Sequence, residues 1–184
     1  MTLAERLVAI HRALEAHGIE HAFGGAIALA YWTLDPRGTS DIDVNVFTRS
    51  DRCETALSAL PSGVEYDEAA IRAIRRDGQV RLWWEETPID LFFDYVELHA
   101  DAARNRRIVP FAGEWIPVLG PVELAVFKAM FDRTRDWADI EAMLAAETLD
   151  VDAVRAHVVA LFGPADDRLR RLDEALRRTV PRED

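Results

Sequence analysis

Two aspartates lie two residues apart in the segment Asp41-Ile42-Asp43-Val44, where charged and apolar residues alternate. On a β-strand, side chains two positions apart share one face, so this spacing predicts that Asp41 and Asp43 point the same way. The intervening apolar residues then face the core. Two neighbouring carboxylates repel each other unless a cation joins them, and hard oxygen ligands select Mg²⁺ or Mn²⁺. The segment therefore predicts a divalent-metal site.

A pair of glycines lies upstream, between an apolar strand at 19–23 and an apolar helical run at 26–32. Gly24 and Gly25 allow a sharp turn and a close approach of the backbone to a ligand. The following helix directs its free N–H groups and positive dipole end at the turn, which suits phosphate. An anion site beside a metal site predicts a nucleoside triphosphate bound with its metal.

The loop at 34–40 carries two further candidates for nucleotide binding, Arg37 and Ser40. A guanidinium fork matches the geometry of phosphate oxygens, so Arg37 is a candidate ligand of the triphosphate. The alternative is a solvated loop arginine.

A third acid is expected from a β-hairpin predicted at 79–93. Asp90 stands between Ile89 and Leu91, and its strand is expected to neighbour the Asp41 strand in a mixed sheet. Asp94 is the alternative, because it lies four residues further along the same face.

Other interpretations of the Asp-x-Asp segment are weaker. Two solvated acids at a strand end would explain the fragment alone. A calcium-binding EF-hand loop requires Gly at its sixth position and Glu at its twelfth, and Val46 and Arg52 stand there.

The glycine pair, the helix and the Asp-Ile-Asp strand, in this order, resemble the signature of the nucleotidyltransferase superfamily. Its members include DNA polymerase beta, aminoglycoside and lincosamide nucleotidyltransferases, and AbiEii-like toxin enzymes. The loop before Asp41 is similar to that of the antibiotic-modifying branch, which also carries an Arg and a Thr like Arg37 and Thr39. Many members have Ser after the first glycine, whereas this chain has Gly25, so a phosphate contact there must come from the backbone.

The resemblance implies an α/β (α+β) nucleotidyltransferase fold with a mixed β-sheet flanked by helices and a C-terminal helical part. It also implies transfer of a nucleoside monophosphate from a triphosphate to a hydroxyl-bearing acceptor, with release of pyrophosphate. Asp41 and Asp43 would hold Mg²⁺ or Mn²⁺, and Asp90 would complete a second metal site or accept the proton. The acceptor stays open among tRNA, a protein and a small molecule.

Lys128 is the only lysine, because arginine supplies 21 of the 22 basic residues. The run from Lys128 to Asp139 resembles a second motif of AbiEii-like proteins, and a compact cation suits phosphate, so Lys128 is a candidate nucleotide ligand. Asp136 and Asp139 lie one helical turn apart and are expected to form salt bridges with arginines.

Composition limits the remaining possibilities. The net charge of −11 argues against an extended nucleic-acid-coating surface. A single cysteine fits a reducing cytoplasm, and no apolar run approaches membrane-spanning length. We expect a nucleotidyltransferase core at 1–119 and a helical part at 120–184.

Two other functional classes stay open, and an ordinary ATPase is disfavoured. A non-catalytic regulator or a toxin–antitoxin partner with the same fold stays open. A metal-dependent phosphohydrolase would use clusters of His and Asp, whereas the five histidines are scattered, and His11 and His17 are interpreted as surface or boundary residues. The absence of a Gly-x-x-x-x-Gly-Lys motif argues against an ordinary ATPase.

Overall fold

The computed structural model describes residues 1–33, 37–94 and 97–179. Residues 34–36 of the predicted loop lie outside this range. The chain divides into two compact units, Met1–Ile27 with Gly38–Leu119, and Ala28–Arg37 with Gly120–Asp184. The second unit therefore includes a segment from the first part of the chain, and a functional division into 1–119 and 120–184 stays a prediction.

The first unit contains a seven-stranded mixed sheet with the strand order β3-β4-β5-β2-β1-β7-β6. The strands are β1 (His21–Phe23), β2 (Ile42–Arg49), β3 (Val64–Glu65), β4 (Gln79–Trp84), β5 (Thr87–Asp94), β6 (Arg107–Phe111) and β7 (Glu114–Val118). β2 pairs with β5 in parallel and β1 with β7 in parallel, while the other neighbours are antiparallel.

Helices flank this sheet, which confirms the predicted fold class. In and around the first unit these are α1 (Leu3–Ala16), α2 (Gly25–Trp32), α3 (Cys53–Ala59), α4 (Glu68–Asp77) and α5 (Leu98–Asn105), and a 3₁₀ turn at Ser50–Arg52 precedes α3. The side chain of Thr2 accepts from the backbone N–H of Glu5, and the carboxylate of Glu5 accepts from the N–H of Thr2, so a capping box starts α1. Gly78 ends α4 with a left-handed φ of +70°.

Alternating burial fixes the faces of the central strands. Along β5, Ile89, Leu91 and Phe93 are fully buried, whereas the residues between them are half-buried. Each such large apolar side chain stabilises the fold by about 1.5–3 kcal/mol when removed from water. A slip of one residue would exchange the faces and bury Asp90, so the register is strongly specified.

A pair of histidines is buried between α1 and β1. Nδ1 of His21 lies 2.8 Å from the carbonyl oxygen of Ile19, and Nε2 of His21 lies 3.0 Å from Nδ1 of His11. Because a carbonyl only accepts, His21 donates from Nδ1 and accepts at Nε2 from His11. Burial lowers the pKa of His21 to about 4. The interpretation of His11 as a surface or boundary residue was wrong, because α1 turns it inward.

The described C-terminal residues of the second unit, 120–179, form the helices α6 (Pro121–Phe131), α7 (Thr134–Ala145), α8 (Val151–Phe162) and α9 (Asp167–Thr179). Pro121 takes the first helical turn of α6, its favoured position. Seven consecutive residues of α6, from Glu123 to Ala129, are buried, because α7 and α8 pack against it. Lys128 belongs to this buried run.

Within the described part of the chain, no helix has the length and apolar character needed to cross a lipid bilayer.

Candidate active site

The register of β2 and β5 brings the predicted acids together. Asp43 lies directly beside Asp90 in the parallel pair, and Asp41 immediately precedes β2. The prediction that the Asp90 strand neighbours the Asp41 strand is therefore confirmed. Asp94, the alternative third acid, pairs with Arg49 at the other end of the two strands. We refer to Asp41, Asp43 and Asp90 as the acidic cluster.

The glycine turn packs directly against this cluster. Gly25 has a φ of +50°, and a Cβ built on it would lie 1.8 Å from Oδ2 of Asp43. A side chain at this position would therefore displace the Asp43 carboxylate. The start of α2 and the Asp43 side chain approach each other only because residue 25 is glycine.

Gly24 belongs to the same close contact. Its backbone N–H donates to the carbonyl oxygen of Asp43 at 2.9 Å, and a Cβ on it would lie 2.9 Å from Nδ2 of Asn45. Since that N–H is already bonded within the sheet, the predicted phosphate contact depends on Gly25 and the first turn of α2.

The loop before β2 holds Asp41 in place. The hydroxyl of Thr39 donates to Oδ1 of Asp41 at 2.5 Å and accepts from the Asp41 backbone N–H at 3.3 Å. Ser40 is exposed between them. Its proposed contact with nucleotide stays a prediction.

Arg81 joins the acidic cluster and was not among the predicted residues. Its Nε donates to Oδ1 of Asp90 at 2.7 Å and its Nη2 to Oδ2 at 2.6 Å. The same Nη2 lies 3.8 Å from Oδ2 of Asp41. The hydrogen bonds with Asp90 are the main reason that the pKa of Arg81 is raised above its ordinary value. The signal was present in the hairpin, where β4 and β5 place Arg81 directly opposite Asp90.

A divalent ion needs oxygen ligands, which the carboxylates of the acidic cluster can supply. Across residues 1–33, 37–94 and 97–179, no three His, Cys, Asp or Glu side chains are arranged as a metal-binding group. Both oxygens of Asp90 accept from Arg81, whereas Asp43 lies on β2 beside the glycine turn and Asp41 immediately precedes β2. Mg²⁺ in phosphoryl-transfer sites is commonly held by one or two carboxylates together with substrate phosphates. Asp41 and Asp43 fit that requirement.

Two of the predicted nucleotide ligands lie in the second unit. Nζ of Lys128 is 2.6 Å from Oδ2 of Asp139, and Nη2 of Arg37 is 2.7 Å from the same oxygen. Lys128 and Asp139 are buried, at 6% and 5% exposure. Asp136 pairs with Arg133 at 2.6 Å, so the expected salt bridges of both acids with arginines are confirmed. Phosphate binding by Arg37 and Lys128 stays a prediction.

The protein resembles known proteins in its fold at low sequence identity. No protein-family model and no curated protein matches the chain. The crystal structure of ANT(2'')-Ia in complex with adenylyl-2''-tobramycin superposes with a TM-score of 0.52 at 12% identity, covering 98% of this chain and 100% of that one. The solution structure of the antibiotic-resistance factor ANT(2'')-Ia gives a TM-score of 0.50 at 10% identity, over 95% and 89%.

A further solved structure extends the likeness beyond that resistance factor. An antigenic nucleotidyltransferase-like protein from Paracoccidioides brasiliensis superposes with a TM-score of 0.50 at 16% identity, covering 91% of each chain. At 10–16% identity these superpositions concern the fold alone. The chain has the nucleotidyltransferase fold.

Proposed function

We propose that the protein is a metal-dependent nucleotidyltransferase, which moves a nucleoside monophosphate from a nucleoside triphosphate to a hydroxyl group and releases pyrophosphate. The observation that carries this proposal is the acidic cluster, in which Asp43 and Asp90 stand side by side and Asp41 immediately precedes the strand of Asp43. The contact of Asp43 with Gly25 supports it, because the acid meets the start of a helix suited to phosphate.

Asp41 and Asp43 would hold the divalent ion in this mechanism. A bound Mg²⁺ or Mn²⁺ supplies positive charge that stabilises the phosphoryl oxygens during transfer. Thr39 keeps Asp41 oriented through its hydroxyl, and the strand fixes Asp43. Both carboxylates are therefore positioned before substrate arrives, which reduces reorganisation during the reaction.

Asp90 would accept the proton of the attacking hydroxyl. The acceptor oxygen forms a bond to the α-phosphorus, the bond from that phosphorus to the oxygen bridging to the β-phosphate breaks, and pyrophosphate leaves. The proton passes to the Asp90 carboxylate, which Arg81 holds in a fixed orientation. The N–H groups at Gly25 and the first turn of α2, together with Ser40, are the proposed ligands of the triphosphate. Arg37 and Lys128 are proposed phosphate ligands from the sequence and their chemistry alone.

The direct test follows the α-phosphate. The protein is incubated with each nucleoside triphosphate labelled at the α-phosphorus, with Mg²⁺ and with separate acceptor pools of tRNA, total protein and small molecules. We expect transfer of label to one pool, release of pyrophosphate, and loss of both in excess chelator. No labelled product in any pool, with any triphosphate, would contradict the proposal.

The matched variants for this test lie on one strand. Asp90→Asn removes the proposed proton acceptor, whereas Asp94→Asn changes a half-buried acid on the same face of β5, outside the acidic cluster. We expect transfer to be lost in the first variant and kept in the second. Equal activity of the two would remove Asp90 from the mechanism.

Small hydroxylated compounds are the acceptors to test first. The fold is similar to that of ANT(2'')-Ia, solved with adenylyl-2''-tobramycin. The net charge of −11 disfavours an extended nucleic-acid contact. A labelled small-molecule product would support small hydroxylated compounds as the acceptor class. Labelled tRNA or labelled protein would instead identify that pool as the acceptor.

A second candidate is a protein that keeps the fold without catalysis, as a regulator or as a toxin–antitoxin partner of the AbiEii-like kind. The observation that favours it is the pair of hydrogen bonds that Arg81 donates to the two carboxylate oxygens of Asp90, because both oxygens of the proposed proton acceptor are then bound. This candidate predicts binding of metal or nucleotide without labelled product. Transfer that depends on Asp90 would exclude it.

A further inference from the structure

Arg81 is placed in the acidic cluster by two independent features of the sheet. It stands directly opposite Asp90 in the antiparallel β4–β5 pair, so the backbone register alone brings the two side chains to one face. Its guanidinium then binds Asp90 through two parallel hydrogen bonds, at 2.7 and 2.6 Å. Such a bidentate pair fixes the orientation of both groups.

The guanidinium also reaches a second acid. Nη2 of Arg81, which donates to Asp90, lies 3.8 Å from Oδ2 of Asp41. One fixed cation therefore stands between two of the three carboxylates of the acidic cluster. In a two-metal site a second divalent ion supplies additional positive charge. The guanidinium of Arg81 supplies positive charge beside Asp41 and Asp90.

We infer that Arg81 is the permanent second cation of this site, so that the protein binds a single divalent ion at Asp41 and Asp43. This inference rests on the proposed function and specifies its metal requirement. Arg81 acts as a positioning residue, because it holds Asp90 and neutralises part of the acidic cluster. A guanidinium suits this role, since it keeps its charge at all physiological pH values and matches a carboxylate with two donors.

The inference also assigns different tasks to the acids. Asp41 and Asp43 serve the divalent ion, whereas Asp90 is held by Arg81 and serves the proton. A site with three acids and one fixed positive charge needs less external charge than three acids alone. Replacement of Arg81 by an uncharged side chain should therefore open a place for a second divalent ion.

The experiment counts bound Mn²⁺ on the full chain by the loss of the free-ion paramagnetic resonance signal, with Mn²⁺ alone as the probe. We expect a single bound ion in the wild-type protein and a second bound ion in Arg81→Met, which keeps the apolar stem and removes the charge. Arg81→Lys keeps a cation and should retain the single ion. Asp90→Asn should leave the wild-type count unchanged.

Arg76 offers a matched control in the same unit. It binds Asp77 through the same pair of donors, Nε at 2.8 Å and Nη2 at 2.5 Å, but lies on α4 and outside the acidic cluster. Arg76→Met should therefore leave the Mn²⁺ count as in the wild type. Thermal unfolding of each variant shows whether the fold is kept. If Arg81→Met does not fold, Arg81→Gln and the wild-type and Asp90→Asn counts decide the question.

The outcomes separate this inference from the proposed function. Two bound ions in the wild type, or the same single ion in the wild type and in Arg81→Met, would overturn the role of Arg81 and leave the nucleotidyltransferase proposal standing. No bound Mn²⁺ in any variant would overturn the metal site itself. One ion in the wild type, two in Arg81→Met and one in Arg76→Met would support the inference.

Discussion

The contact between Gly25 and Asp43 gives the sharpest test of the site. Gly25→Ala introduces a Cβ that would lie 1.8 Å from Oδ2 and 2.5 Å from Cγ of Asp43. Heavy atoms do not approach so closely, so the carboxylate must leave its place above the start of α2. We therefore expect this single methyl group to disable the metal site.

The backbone cost must be separated from this displacement. Gly25 has a φ of +50°, and alanine in this left-handed region costs about 1–2 kcal/mol. Gly18 has a φ of +67° and has nothing within 4 Å of a built Cβ. Gly18→Ala therefore carries the same backbone cost without a collision, and a loss of about 1 kcal/mol corresponds to roughly 2–4 °C in Tm for a chain of this size.

Two measurements on the pair of variants decide the question. Thermal unfolding should show Gly18→Ala a few degrees below the wild type and Gly25→Ala at or below that value. Mn²⁺ titration should show wild-type binding in Gly18→Ala and loss of binding in Gly25→Ala. Wild-type Mn²⁺ binding in Gly25→Ala would refute the reasoning, because Asp43 would then not depend on the glycine.

Three further predictions concern single side chains. Asp43→Asn should lose Mn²⁺ binding and raise the Tm of the metal-free protein, because it relieves repulsion between carboxylates; a lowered Tm would contradict this. Lys128→Met should lower the free energy of unfolding, measured in urea, by up to about 3 kcal/mol, because it breaks a buried ion pair with Asp139. An unchanged free energy of unfolding would show that Arg37 alone is a sufficient partner for Asp139. Burial lowers the pKa of His21 from 6.5 to about 4, so between pH 6.5 and pH 4 the unfolded chain binds a proton that the folded chain does not. The free energy of unfolding should therefore fall by about 2 kcal/mol from pH 7 to pH 5. His21→Gln should flatten this dependence, and an unchanged slope would exclude His21 as its source.

The sheet at the acidic cluster could be predicted because local patterns were strong. The alternation in Asp41-Ile42-Asp43-Val44 fixes the faces of β2 whatever its neighbours are. The hairpin that carries Asp90 is marked by two apolar runs around a short polar turn. No local pattern specifies which strands become neighbours, so the expected pairing of these two strands agreed with the resemblance to a known fold, and their parallel direction was not predicted.

Arg81 illustrates what the same patterns leave undetermined. The hairpin register places it opposite Asp90, but arginines are frequent in this chain and a half-exposed one gives no signal by itself. Its role depends on the distance from Nη2 to Asp41, which immediately precedes β2, a strand that is not adjacent to β4. Such a contact requires the assembled sheet.

The prediction for Lys128 was limited in a similar way. Its rarity pointed to a special demand on a compact cation, and the structure shows a buried lysine bound to Asp139. The sequence also placed an acid one helix later, but it could not show that Arg37 shares the same oxygen. Residues from distant segments meet there, and spacing along the chain carries no information about such a meeting.

The strand order has a consequence for the order in which the site is assembled during folding. Arg81 and Asp90 belong to one hairpin and are nine residues apart, so their ion pair can form on the microsecond scale of hairpins. Asp43 joins Asp90 only when β2 pairs in parallel with β5, across the intervening α3, β3, α4 and β4, and such non-local pairing is slow. Pulse-labelled hydrogen exchange should show protected amides in β4 and β5 before those of β2. Arg81 would then already be bound to Asp90 when β2 brings Asp41 and Asp43 close to it. The charge of Arg81 lessens the repulsion among the three carboxylates, which would otherwise oppose the pairing of β2 with β5.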